Sequence, residues 1–514
     1  MNTASLIDSA MAGLQTAQAG MLVTSQNVTG SSVEGYVRRT SHTRITALSP
    51  SSYEITGTSF AVEGFTRQFN GLLQSQLLAQ TSQTSYSKTL AQSVSTLDAM
   101  LADGSTSIAN AMGAFFNAAG SLANEPTNQA YQQAFTGTAR QLADRIRSTS
   151  TTVDSIATNA KQALTDVLNQ ANTLAPQLAS VNAKIRGAAV PGMSYPSADL
   201  LDERDRITQK LQDLIGGTTT INEDGTASYQ VSGQFLVDRE IANKFTNVSG
   251  TTPVDASQSI YGVQLMVTSR NNTKIPMFVQ NAQTGEYQSA FVDGQAGAYV
   301  HLIDKFVPTV KKSLNLLAVQ LMEQTNEIQN SSNVTVSPIF AFSGIGSGAD
   351  ITDPNAAVIE RIRASGGSRA YDAILDQSNP DSSAFNSTLQ TYLEDPNIDA
   401  SLFKATSIFN STQFANMDAQ AATAIEALRS NFSNPVTYIT ASIATTVATW
   451  RNNHSANEAV QEALVSQKEA VSGVNLDEEA ANLVKFQQLY NASSKIIQTG
   501  KQMFDTLLAM LSGN

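Results

Sequence analysis

The densest group of ionisable side chains in the sequence is Asp199, Asp202, Glu203 and Asp205. A glycosidase would need two such acids facing each other across a cleft. Arg204 and Arg206 stand among them, however, and a solvated helix carrying local ion pairs is the plainer reading. The run Gly344-Ile345-Gly346-Ser347-Gly348 has the glycine density of a phosphate loop, yet it lacks the strand-to-helix setting and the Walker lysine and reads as a flexible loop. The absence of cysteine from all 514 residues removes thiolate nucleophiles, thiolate metal sites and disulfides together. His42, His301 and His454 are too far apart in sequence to suggest a zinc centre. Trp450 reads as packing rather than as a ligand platform. No catalytic, cofactor or metal residues are therefore expected.

Recognition must then rest on surfaces. Charged residues are only 14% of the chain, so the polar surface is built largely from Ser, Thr, Asn and Gln, which favours packing and hydrogen bonds over charge steering. The net charge of −12 disfavours nucleic acid and anionic lipid as partners. No apolar stretch is long enough to cross a bilayer. The first basic residue is Arg38, so the positive region of a cleaved secretory signal is missing.

The elements that would present such surfaces are clearest at the two ends. Ile7, Leu14, Met21 and Val28 recur every seven residues with Ala10 and Ala17 between them, a narrow apolar stripe with small neighbours that permit close helix approach. Leu476, Leu483, Tyr490, Ile497, Phe504 and Leu511 keep the same period, flanked by Phe486 and Leu507. Asn475 followed by three acids supplies a cap, and Ser512-Gly513 ends the pattern. Burying one stripe does not offset the conformational entropy of ordering so long a helix. The partner is either the other end of the same chain or a neighbouring copy, and the presence of a stripe at both ends favours assembly between copies.

Between the ends the chain divides into an N-terminal helix and loop region (1–70), a long-helix region (71–216), a β-rich region (217–300), a returning helix (301–332), an outer insertion (333–434) and C-terminal helices packing with the N-terminal region (435–514). Breaks are expected near Gly104 and at Glu125-Pro126, with a kink or break at Pro176. Asp199 is expected to cap a helix that Gly216-Gly217 stops. Asp224-Gly225, Ser232-Gly233 and Asn271-Asn272 mark a meander. The fold class is mainly α with inserted β, multi-domain, with a coiled-coil-like helical base built from both termini.

Particular residues add a resemblance. Ser472-Gly473-Val474-Asn475-Leu476-Asp477-Glu478-Glu479-Ala480-Ala481-Asn482-Leu483, with Phe486-Gln487, Tyr490, Ala492 and Met503-Phe504-Asp505-Thr506-Leu507-Leu508, resembles the C-terminus of the flagellar hook-associated protein 1 family of hook–filament junction proteins. Gly13-Leu14, Ala17-Gln18, Asn27-Val28 and Gly35-Tyr36-Val37-Arg38 resemble the N-terminal flagellar axial motif, of which Asn27, Gly35 and Tyr36 are the marked positions. Gly30 stands where that motif usually has a second Asn. Asp199 to Asp205 and Gly294 to Ala318 add to the likeness, whereas residues 333–434 resemble nothing identifiable.

The resemblance implies a non-enzymatic structural component of the bacterial flagellum, exported through the flagellar type III pathway to an extracellular position. There it would form a helical layer of copies between hook protein and the second junction protein. It also implies a dedicated export chaperone that binds the C-terminal region, so that the stripe residues serve the chaperone first and core packing afterwards. The alternatives are an exported flagellum-associated cell-wall hydrolase, which no catalytic set supports, and a surface adhesin using the middle region.

Overall fold

The computed structural model describes residues 3–33, 35–47, 58–102, 107–188, 197–246, 263–268, 272–280, 287–331, 339–343, 350–351, 399–405 and 419–512. The Gly344–Gly348 run and most of the outer insertion lie outside them. The architecture is mainly helical with short antiparallel sheets.

The body is organised along helix α5 (Gln129–Gly187), with α2 (Gly71–Ser93), α3 (Ser95–Ala102) and α4 (Ile108–Asn124) before it and α6 (Ala198–Ile215) after it. Asn128 caps α5 by accepting the Ala130 N–H at 3.0 Å. The helix then runs for 59 residues, about 88 Å, and of the kink or break expected at Pro176 the break does not occur. Ala175, Leu178, Ala179 and Val181 are all buried around the proline, so tertiary packing outweighs the one lost backbone bond.

Gly216 and Gly217, at φ +63° and +98°, stop α6 and deliver the chain to a meander of β3 (Thr218–Ile221), β4 (Ala227–Val231), β5 (Gln234–Asp238) and β6 (Ile241–Ala242). Ser232 and Gly233 both have positive φ, as a tight hairpin turn requires. A second sheet joins β7 (Lys244–Thr246), β8 (Gln264–Val267) and β9 (Thr273–Pro276). Two asparagines of α5 hold these sheets. The Asn182 amide exchanges bonds with Ala227 (2.8 and 2.9 Å), and that of Asn172 with Phe245 (2.9 and 2.7 Å).

After a short hairpin of β10 (Phe278–Gln280) and β11 (Tyr287–Ser289), helix α7 (Gly294–His301) passes through one π-turn, Leu302–Phe306, into α8 (Val307–Ser331). The Val307 N–H reaches back to the Leu302 carbonyl, and the wider turn comes immediately before Pro308, which has no N–H to donate. In the insertion, β12 (Phe340–Ser343) pairs with β13 (Asp350–Ile351) and β14 (Phe403–Ala405). Helices α9 (Ala419–Ala427), α10 (Arg429–Ser472) and α11 (Leu476–Ser512) complete the chain, and α10 begins six residues before Pro435, where helix was expected to resume.

One apolar core joins α4, α5, α8, the sheets and the first half of α10, from Leu90 to Val447. Its centre is a run of rings. Phe115 lies 5.2 Å from Phe135 and 5.5 Å from Phe340, and Phe116 lies 6.0 Å from Phe432. Trp450 packs at its edge, 5.0 Å from Phe306 and 5.8 Å from His301.

The candidate assembly site at the paired ends

The chain begins with α1 (Thr3–Gly30) and a hairpin of β1 (Arg39–Ala47) and β2 (Thr58–Arg67), where only helix and loop were expected. Helix α1 lies against α11 of the same chain. The close approach is made by small side chains. A Cβ on Gly20 would stand 2.4 Å from the Phe486 ring, one on Gly13 2.6 Å from Ser493 Oγ, and one on Gly500 3.0 Å from Ile7. Ala10, Ala17, Val23, Thr24 and Asn27 are buried on α1, while Glu479, Ser493 and Gly500 are buried on α11.

The contact line on α11 therefore runs through Glu479, Phe486, Ser493 and Gly500. It has the expected period of seven, but it is displaced by three positions from the line of large apolar residues. Tyr490 and Ile497 are half-buried beside it, as are Ile7, Leu14 and Met21 on α1. Leu476, Leu483, Phe504 and Val28 are exposed. Phe486, from the flanking row, is the expected residue that meets the partner helix most directly. The side chains of Leu507 and Leu511 lie outside the described ones. Exposed Leu489, Ile496, Met503 and Leu508 add to the apolar surface that the pairing leaves open.

Asn27, Gly35 and Tyr36 converge at the end of α1. Gly35, at φ +83°, turns the chain so that the Tyr36 hydroxyl donates to Asn27 Oδ1 at 2.9 Å. The same oxygen accepts the Arg39 N–H at 3.0 Å, and Asn27 Nδ2 donates to the Arg39 carbonyl at 3.0 Å. Gly30 has a physical role here, since a Cβ at that position would stand 2.4 Å from the Tyr36 ring. The Arg39 guanidinium covers that ring at 4.8 Å. Burial pushes the Tyr36 phenol above its usual pKa, although the Arg39 charge opposes this.

Beyond the tyrosine lies the carboxylate group from α6. Arg39 Nη2 is 2.5 Å from Asp199 and 3.1 Å from Asp202; Arg67 is 2.8 Å from Asp202 and 2.6 Å from Asp205; Arg204 is 2.6 Å from Asp205. Asp199 and Glu203 face solvent as expected, at 77% and 40% exposed, whereas Asp202 and Asp205 are withdrawn from it at 13% and 11%, against arginines that are themselves buried. Asp199 pairs with Arg39 instead of capping; Ser197 occupies the cap position, with no side-chain bond. Glu203 pairs locally with Arg206, whose hydrogen bond holds its carboxyl below the usual range. Burial raises the pKa of Asp202 although Arg67 and Arg39 oppose it, and burial depresses the Lys468 ammonium contributed by α10. Arg38 reaches the other way, 2.7 Å from Glu478 and 2.8 Å from Glu479 in the first turn of α11. Asn475 accepts the Asp477 N–H at 2.9 Å and caps that turn as expected. Among the described residues no group of side chains could hold a metal ion, and no helix is long and apolar enough to cross a membrane.

Two family models match. Residues 94–335 match the helical domain of flagellar hook-associated protein FlgK, and residues 466–510 match the C-terminal region of flagellar basal body rod FlgEFG proteins. The flagellar hook-associated protein 1 of Escherichia coli is 25% identical, with 98% of this chain and 99% of that protein aligned. Those of Salmonella typhimurium and Bacillus subtilis are 23% and 21% identical over 98% of this chain, covering 99% and 97% of their own lengths. Over nearly its whole length the chain is similar to flagellar hook-associated protein 1. A solved structure, the flagellar hook junction protein FlgK of Burkholderia pseudomallei, is 22% identical with a TM-score of 0.42, covering 52% of this chain and 46% of that one.

The C-terminal match takes in the end of α10, the turn and nearly all of α11, which is the segment that pairs with α1. Sequence reasoning missed the hairpin arginines. Their signal was the length of the two extended runs, Arg39 to Ala47 and Thr58 to Arg67, each with an arginine at the end that faces α6.

Proposed function

We propose that this chain is a structural, non-enzymatic component of the bacterial flagellum that joins hook to filament and assembles through its terminal helices. One observation carries the assembly step. Pairing α1 with α11 buries a line of small residues and leaves Met11, Leu22, Leu476, Leu483, Ile496, Met503 and Phe504 exposed. An open apolar row on an already paired helix unit favours further helices of the same kind, and neighbouring copies in a helical layer supply them.

Hook protein and the second junction protein are the proposed neighbours below and above that layer. The chain travels through the flagellar type III pathway, and a dedicated chaperone shields α11 on the way. The same row cannot face the chaperone and a neighbouring copy at once, so release of the chaperone precedes assembly. Flagella of a strain whose chain lacks Leu476 to Asn514 are expected to have hooks without attached filaments. Unchanged filaments would overturn the reading, as would failure of the purified chain to bridge hook protein and the second junction protein in a mixed assembly.

A further inference from the structure

The continuous apolar core begins at Leu90 and ends at Val447, with Trp450 packed against it, and contains no residue of α1, the hairpin or α11. The paired ends are joined to the body by other means. Arg39 and Arg67 at the base of the hairpin grip Asp199, Asp202 and Asp205 of α6. The Arg38 N–H donates to the Ser472 carbonyl at the end of α10 at 2.9 Å, and its side chain closes on Glu478 and Glu479.

We propose that Arg39 and Arg67 are positioning residues that set the direction in which the paired ends leave the body. Apolar packing is non-directional. A guanidinium is a rigid planar fork that meets carboxylates in a fixed geometry, so two forks on one short hairpin fix an angle as well as a distance. Arg67 presents Nε and Nη2 to Asp202 and Asp205, whereas Arg39 meets Asp199 and Asp202 through Nη2, and the buried Nε of each arginine makes no well-aligned hydrogen bond among the described residues. The joint is thus held by a few directional contacts between the apolar body and the paired ends. On assembly it can re-form at another angle without either unit opening.

The inference concerns the free chain and stands or falls apart from the assembly reading. Because the sequence contains no cysteine, Asn159→Cys on α5 and Gln498→Cys on α11 accept one spin label each in the full-length protein. The inter-label distance distribution is compared with that of Arg39→Lys/Arg67→Lys, which keeps both charges and loses both forks. A distribution that broadens or moves, while the main calorimetric unfolding transition stays in place, is the expected result. Arg39→Met/Arg67→Met/Asp202→Leu, which leaves no unpaired charge at Asp202, is expected to move it further. An unchanged distribution in both variants would overturn the assignment. So would loss of the main transition in the lysine variant, because the arginines would then hold the body together and not direct the ends.

Discussion

Asn27 places three hydrogen bonds on one amide, binding the Tyr36 hydroxyl and both backbone groups of Arg39. Asn27→Ala leaves the Arg39 N–H and carbonyl buried without those partners, and the hairpin base is expected to lose about 1–3 kcal/mol. Amide exchange at Arg39 and Thr40 would measure the loss, with Tyr36→Phe as the milder comparison at about 0.5–1.5 kcal/mol. Asp304 gives a pH prediction in the body. Burial in the π-turn raises its pKa from 3.8 to about 7, with Lys305 opposing weakly. The folded state therefore holds a proton that the unfolded chain has released between about pH 4 and pH 7, and stability falls as pH rises through that window. Asp304→Asn is expected to flatten this slope and to stabilise the protein by on the order of 2–4 kcal/mol above pH 7. Denaturant titrations of both proteins at pH 5 and pH 8 would check it, and parallel pH profiles would refute it.

At the scale of elements, the α1–α11 contact depends on what is missing from its side chains. Gly20→Val drives a branched side chain into the Phe486 ring and is expected to cost the pairing about 1–3 kcal/mol. Faster exchange along α11, with α5 unchanged, would register that cost. The same contact explains what could be read from sequence. The heptad period at both ends was legible because helical geometry repeats nearly every seven residues, and the small neighbours Ala10 and Ala17 were legible as places of close approach. Its phase was not legible. Large apolar residues dominate a pattern search, whereas two backbones come closest where side chains are smallest, at Gly13, Gly20, Ser493 and Gly500. Pro176 does not break α5, because the proline sits on the exposed face while Ala175, Leu178 and Ala179 pack the buried one, and that packing overrides local propensity. The carboxylates of α6 were correctly read as ion-paired, but their main partners come from residues 39 and 67, and a local window does not show such long-range pairing.

For the whole molecule, stability is expected to be uneven. The body has one continuous core, while the paired ends have a thin line of small contacts, an open apolar row and an ionic joint. In the isolated chain, amides of α1 and α11 are expected to exchange well before those of α5. Protection at both ends equal to that of α5 would contradict this division of labour. Trp450 lies on the body side of the division, wedged beside Phe306 and His301. As the chain's single indole, it gives a fluorescence signal that follows melting of the body and stays dark to any swing of the ends. The protein thus contains its own optical means of telling the two events apart.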